Sequence, residues 1–262
     1  MQHFQIFQRL LENTTNGHMK KSTLIFSLIT LLIINLGSSR AFAVNILQVK
    51  SAENQIRKVS DFHAIASGGS FNIVVTMGTK ESLEIDADES DLERIETLVQ
   101  NGTLRIRLKR DAKNYKIGFK SKVNIYITAK KLDALALSGS GNLEVKGVLN
   151  SASVNIQVIG SGSVTTAVDT QSVSLAVSGS GNVNISGVTG SANIAVSGSG
   201  GINAKNLKTK NSDIIIAGSG NVTVFAEETL NVNLAGSGSV KYLGSPELQI
   251  NKIGSGSVSK LK

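Results

Sequence analysis

Apolar residues between Leu132 and Lys262 fall into columns around a triplet, Gly-Ser-Gly, that returns seven times. Its first glycines are Gly139, Gly160, Gly179, Gly198, Gly218, Gly236 and Gly254, in steps of 21, 19, 19, 20, 18 and 18 residues. Four places before them stand Leu135, Ile156, Leu175, Ile194, Ile214, Val232 and Ile250. Two places before come Leu137, Val158, Val177, Val196, Ile216, Leu234 and then Lys252, the one break in that column. Four places after, Leu143, Val164, Val183, Ile202, Val222, Val240 and Val258 run uninterrupted. Alternate apolar positions rich in β-branched residues are the period-2 signal of half-buried strands. Each repeat is therefore two short strands joined by a Gly-Ser-Gly corner.

A period this regular predicts a solenoid, in which each repeat buries its apolar face only by stacking on its neighbours. Burying about four aliphatic side chains contributes roughly 6 to 12 kcal/mol, less than the cost of ordering some 19 residues, so no coil stands alone. The glycines of each triplet, the first already named and then Gly141, Gly162, Gly181, Gly200, Gly220, Gly238 and Gly256, are expected as structural corners where a side chain would obstruct the turn. The intervening serines are expected to form a hydroxyl ladder. The column Asn142, Ser163, Asn182, Gly201, Asn221, Ser239 and Ser257 is expected to hydrogen-bond from coil to coil. The fold class is thus all-β, a parallel β-helix of about 19-residue coils. Six strand spacings give a rod of roughly 29 Å.

Residues 44–131 are less regular and predict an N-terminal cap and first coils. Phe62–Ala66, Phe71–Thr76, Leu83–Ala87, Thr103–Leu108 and Val123–Thr128 have strand character, and Ser67-Gly68-Gly69-Ser70 resembles a degenerate corner. One short helix is expected, capped by Asp88, running through Leu98 and closed by Asn101-Gly102. Residues 132–262 are the repeats, and 44–262 make one continuous domain.

The first segment is an address. Met19-Lys20-Lys21 is a basic start, Thr23–Gly37 an apolar run, and Ala41-Phe42-Ala43 a small-x-small cleavage site, so 19–43 is a signal peptide and residues 1–18 precede the true start. The run is short for a membrane span of about 20 residues, so no integral span is expected after cleavage. Without residues 1–43, 23 basic residues face 18 acidic ones, a formal charge of +5. That is mildly basic, and no nucleic-acid partner is expected from it. The absence of cysteine excludes a lipidated cysteine anchor, disulfides and thiolate metal sites.

Charge is sorted within the cap. Glu81, Glu84, Asp86, Asp88, Glu89, Asp91, Glu93 and Glu96 form an acidic block, followed by Arg105, Arg107, Lys109, Arg110, Lys113, Lys116, Lys120, Lys122, Lys130 and Lys131. The basic residues from Arg105 to Lys122 are the candidate site for an anionic envelope polymer or lipid head group. The plainer reading is an exposed loop partly balanced by the acidic block. Lys252, Lys260 and Lys262 are expected to discourage end-to-end stacking at an open last coil.

Catalytic chemistry finds little to work with. Asp133, Glu144, Asp169, Asp213, Glu227, Glu228 and Glu247 scatter relative to the triplets; Asp169 and Glu227 share a column, three coils apart. That is about 14 Å, beyond the roughly 5 to 9.5 Å used in glycoside hydrolysis. His63 is the only histidine after residue 43 and is expected to be structural beside Phe62. No metal or cofactor site is expected, because the corners lack the aspartates of calcium-binding repeats and match no phosphate or dinucleotide fingerprint. Tyr242 falls in an inward column and is expected in the core near the end of the rod.

The apolar-x-Gly-Ser-Gly pattern from Leu137 to Gly256, with Phe71–Thr76, the Asn101-Gly102-Thr103-Leu104 turn and Tyr242-Leu243-Gly244-Ser245-Pro246, resembles the head GIN domain family over roughly residues 58–260. The resemblance implies a right-handed, single-chain β-helix of exported bacterial proteins that carry the label of auto-transporter adhesins. It implies no catalytic residues. No translocator segment, sorting motif or lipid anchor accompanies the repeats, so an auto-transporter in the strict sense is not expected.

These readings lead to a non-enzymatic, exported binding or structural module that presents Ser/Asn/Thr-rich faces to a glycan, protein or lipid head group in the periplasm or at the cell surface, with homo-oligomers possible. The alternatives are a carbohydrate-active enzyme and a periplasmic protein binding anionic lipid or polymer through its basic loop. Mass spectrometry of the exported chain is expected to place its N-terminus at Val44; an intact Met19 would refute the cleavage site.

Overall fold

Stacked corners set the architecture. A computed structural model describes residues 53–109, 119 and 121–261; the expected signal peptide over 19–43, residues 1–18, and Arg110, Lys113, Lys116, Lys120 and Lys262 lie outside them. Five long strands make the regular part: β9 (Asn142–Gly160), β10 (Ser163–Gly179), β11 (Asn182–Gly198), β12 (Gly201–Gly218) and β13 (Asn221–Gly236). Each pairs in parallel with the next, and each begins just after one Gly-Ser-Gly corner and ends in the next. One strand thus supplies both faces of a coil. The result is the β-helix that the repeat predicts.

The corner register is strict. Gly139 pairs with Gly160, Gly160 with Gly179, Gly179 with Gly198, Gly198 with Gly218 and Gly218 with Gly236. The corner ladder runs through the backbone: the N–H of Ser161 donates to the Gly139 carbonyl at 2.9 Å, and Ser180, Ser199, Ser219 and Ser237 repeat the bond to the glycine one coil back. The serines contribute amides rather than the expected hydroxyls, because their side chains point into solvent. The polar column beside them does interlock, with Ser163 donating to Asn142 at 2.7 Å and Ser239 to Asn221 at 2.6 Å.

Irregular coil lengths are absorbed on the side of the coil away from the triplets. Register shifts fall between Thr165 and Ala167, between Asn184 and Ser186, and between Ala204 and Lys208. There the chain turns over a buried file of Thr170, Thr189 and Thr209. Their hydroxyls donate to backbone carbonyls, as Thr189 does to Ser191 at 3.0 Å and Thr209 to Phe225 at 2.8 Å. A bend inside the core exposes carbonyls that no ladder partner reaches, and the threonines satisfy them.

The cap departs from chain order. Short strands β2 (Ala64–Gly68) and β3 (Asn72–Met77) form one coil around the degenerate corner, stacked directly under β8 (Ala134–Gly139) and β9. The later strands β6 (Thr103–Leu108) and β7 (Asn124–Ala129) pair with the opposite edges of β2 and β3, so the second coil in sequence is the outer one in space. It is closed by antiparallel strands. On one face β4 (Ser82–Ala87) pairs with β7 and β1 (Glu53–Arg57) with β4; on the other β5 (Ile95–Gln100) pairs with β6.

The expected helix through Leu98 is corrected. Only one turn, α1 (Glu89–Leu92), is helical, with Asp88 as its cap accepting from the Ser90 amide at 2.9 Å. Ile95–Gln100 is a strand, and Asn101-Gly102, with φ of 51° and 69°, is the turn of a β-hairpin rather than a helix end. Two successive positive φ values match the right-handed twist of the flanking strands, and Asn-Gly is the dipeptide that adopts them most readily.

The inward columns form one continuous core from Phe62 to Val240. Tyr242 packs against it, as expected. At the far end β14 (Ser239–Gly244) is followed by β15 (Glu247–Ile253) and β16 (Ser257–Lys260), where Ile250 is 47% exposed and Lys252 stands in the inward column. The last layer is uncovered.

A Cβ on Gly200 would lie 2.4 Å from the Gly181 carbonyl oxygen and 2.6 Å from Val177 Cγ1. Gly200→Ala is expected to lower the unfolding free energy by about 3 kcal/mol, and Ser199→Ala beside it by less than about 0.5 kcal/mol. Urea unfolding checks this; equal midpoints for the two variants would refute the close-packed corner.

Candidate anion-binding site at the capped end

Alternation along β6 decides where the basic residues go. Leu104 and Ile106 are fully buried, so Arg105 and Arg107 project outward, and Lys109 follows, exposed, just past the strand end. The antiparallel hairpin sets Arg107 opposite Glu96, whose carboxylate accepts from its Nε, and sets Arg105 opposite Leu98. Arg105, Lys109 and Lys122 form no ion pair among the described residues. The structure thus places Arg105, Arg107 and Lys109 on one edge and exposes Lys122 just before β7, while the other four candidates lie outside the described residues.

In chain order residues 109–122 join β6 to β7, as a Gly-Ser-Gly triplet joins β8 to β9. Both ends of this segment are pinned. The Lys109 amide donates to the Arg94 carbonyl at 2.8 Å. At the other end the Phe119 ring lies 5.2 Å from Phe71 and 5.7 Å beneath the Arg94 guanidinium, and the Ser121 amide reaches Asp91 Oδ2 at 3.4 Å. Asp91, 1% exposed, also accepts from Arg94 at 3.0 Å. A carboxylate this deep is tolerated only when it is paired and hydrogen-bonded. One buried acid therefore ties the helical turn to the returning basic segment.

Glu81, the first of the acidic block, is also engaged. Glu81 accepts from Lys130 at 3.5 Å and from the Asp61 amide at 2.9 Å. Arg57 is occupied too: its guanidinium donates to the carbonyls of Ile95 at 2.8 Å and Leu92 at 2.9 Å, and burial lowers its pKa from the usual arginine value. It holds β1 over the cap and is not available to a ligand. Among the described candidates, Arg105, Lys109 and Lys122 are the exposed cations that no acid pairs.

His63 is structural in the way its neighbours suggest. Its Nδ1 lies 2.9 Å from Asp133 Oδ1, its amide donates to the Gly102 carbonyl at 2.9 Å, and its ring covers Gly102, where a Cβ would meet Nε2 at 2.5 Å. The pair latches the hairpin turn to the coil below. The shared column of Asp169 and Glu227 is corrected: register links Asp169 to Val188, then Lys208, then Phe225, leaving Glu227 two residues out of line. The bulges between coils shift the count. Among the described residues no cluster of three or more His, Asp or Glu side chains could hold a metal ion.

Sequence reasoning passed over the outer surface beside the corners. Three places before the first five triplets the outward file is Ala136, Gln157, Ala176, Ala195 and Ile215, before the last two it turns polar with Asn233 and Asn251, and at the other end register continues it through Ala66 to Arg105. Two shallow depressions lie along this file, of about 210 Å³ each. The signal was present as apolar residues at outward parity.

A family model for putative auto-transporter adhesins, head GIN domain, matches residues 61–246. The chain belongs to this family. Two solved structures are similar to this GIN domain at 26% identity: a putative adhesin from Bacteroides fragilis, with a TM-score of 0.73 over 81% of this chain and 98% of the other, and a putative lipid binding protein from Parabacteroides distasonis, with a TM-score of 0.67 over 81% and 97%. A putative adhesin from Parabacteroides merdae, 20% identical over 81% of this chain and 97% of its own with a TM-score of 0.66, shares the fold. Comparison with curated proteins finds no match. Among the described residues no helix is long and apolar enough to cross a membrane.

Asp91→Ala is expected to lower stability by about 2 kcal/mol, since it leaves Arg94 and the Ser121 amide without their buried acceptor. A loss below about 0.5 kcal/mol in urea unfolding would refute the anchoring role of Asp91.

Proposed function

We propose that this GIN domain is a non-enzymatic binding module exported to the cell envelope, and that it engages an anionic partner at the capped end of its rod. The observation that carries the reading is the row Arg105, Arg107 and Lys109 on one outer edge, with Lys122 just before β7 and, among the described residues, only Arg107 of the four paired with an acid. Such an edge attracts anions without discriminating strongly among them, through screened Coulomb forces. Three further features support it. Residues 19–43 have the pattern of a cleaved leader, the family is named for adhesins, and a structural relative is described as lipid binding. The partner is then an envelope polymer or a lipid head group, met in the periplasm or at the surface.

The test is sedimentation with phosphatidylglycerol vesicles and, separately, retention on a polyanionic glycan. Binding is expected at low salt, to weaken steeply as salt rises past the Debye regime of about 10 Å at 0.1 M, and to fall at least tenfold in the double variant Arg105→Glu, Lys109→Glu. Binding that is absent, or indifferent to salt and to both substitutions, would overturn the reading.

A further inference from the structure

We infer that the outer surface next to the corners carries a linear site for one single-chain amphiphile with an anionic head, of the fatty-acid kind, with the head at Arg105 and the chain laid along the rod. The inference rests on the anionic-partner reading above and names the ligand class and the seat. Register places Arg105 beside Ala66, Ala66 beside Ala136, and Ala136 beside Gln157, all on outward positions of successive strands. The first depression, about 210 Å³, lies over this run. Its floor is Ala66, Gly68, Ala136 and Ser138, the arginine stems form one wall, and Gln157 with Ile159 forms the other. Three strand steps separate the walls, about 14 Å. One acyl chain of a bilayer leaflet, half of a hydrocarbon core about 30 Å thick, is about 15 Å long. The depression therefore has the length of one chain.

Beyond Gln157 the pattern repeats. Ala176 and Ala195 floor a second depression of about 210 Å³ that ends at Ile215, itself 57% exposed. Large side chains thus stand on every third strand, with alanines between them. A longer chain continues into this second trough. The neighbouring outward file beside the second trough is polar, Asn155, Ser174, Asn193 and Asp213, and confines hydrocarbon there to a strip about one chain wide. Beside the first trough it continues through Ala134 and the buried Ala64 to Thr103, and the apolar strip is wider.

Charge complementarity selects the head. Arg105 forms no ion pair among the described residues, and its planar guanidinium suits a carboxylate or phosphate bidentately. Arg107, partly satisfied by Glu96, is the weaker contributor. The shape selects a lodged chain over a bilayer surface, since membrane insertion needs apolar side chains that project, whereas these floors are the small residues alanine, glycine and serine.

The test is titration of the protein with 11-(dansylamino)undecanoate, followed by displacement with dodecanoate and with dodecyltrimethylammonium. Saturable enhancement of dansyl fluorescence is expected, displaced by dodecanoate and at least tenfold less well by the cationic amphiphile. Arg105→Gln and Ala136→Phe are each expected to weaken dodecanoate at least tenfold, and Ser199→Ala to leave it unchanged. Ala66→Leu serves as a second filling variant, with urea midpoints confirming that each variant folds. Absence of saturable binding, or affinity unchanged on filling the trough in a folded variant, would overturn the inference. Ala136→Phe should retain salt-sensitive vesicle and glycan binding. In the unsubstituted protein, vesicle and glycan binding without saturable dodecanoate binding would overturn the lodged chain alone, while absence of both would overturn the anionic-partner reading as well.

Discussion

Backbone against backbone at the corner is the constraint on which the rest of the structure depends. A side-chain carbon on Gly198 would sit 2.5 Å from the carbonyl oxygen of Gly179 one coil below, and φ at Gly198 is +114°, a conformation that L side chains rarely adopt. Only glycine meets both demands. Because the contact is made by main chain, every coil must return to the same point, and the amide of the following serine bonds to that same glycine carbonyl. A one-residue slip would turn each inward aliphatic to solvent. The close contact, the ladder and the hydrophobic columns therefore specify one register together.

Holding one point of every coil fixed leaves length variation to be absorbed elsewhere. Coils of 18 to 21 residues share the same corner geometry, so extra residues emerge as bulges on the far side. The buried threonines there act as a looser second hinge. Their hydroxyls reach carbonyls in their own coil or in an adjacent one, which keeps the bend satisfied while its register shifts. A glycine corner allows no such play.

How far the amino-acid sequence disclosed this structure depends on which of these hinges a residue serves. The inward columns and the corners were legible because they stand at constant distances from a marker that is itself structural. The far-side threonines were not, since Thr170 and Thr189 lie ten places after their glycine and Thr209 eleven. The same drift made Asp169 and Glu227 look aligned. In the cap, helical spacing of Leu92, Ile95 and Leu98 competed with the alternation of Ile95, Thr97 and Val99. Pairing with β6 and the Asn-Gly turn decided for the strand, as tertiary context commonly does for short segments. Of the candidate site, the charge sorting was legible, but the pairing that sets Arg107 opposite Glu96 and Arg105 opposite Leu98 was not, because it needs the hairpin register.

The reversed order of the first two coils bears most directly on function. A solenoid built strictly in chain order would follow the β2–β3 coil with the β6–β7 coil on the side where the repeats continue. Here the repeats stack on β2 and β3 directly, and β6 is sent to the opposite edge. Arg105, Arg107 and Lys109 consequently lie on the outermost coil, at the end of the rod rather than in its middle. The same arrangement aligns Arg105 with Ala66 and Ala136, residues far from it in sequence, so that a cation terminates an apolar file. Polar ladders elsewhere on the rod, such as Asn231 donating to Asp213 at 2.7 Å, spend their hydrogen bonds on each other and offer fewer to a ligand. Self-satisfied polar lanes, one largely apolar strip and an exposed arginine at its end are what a fixed register makes of this sequence.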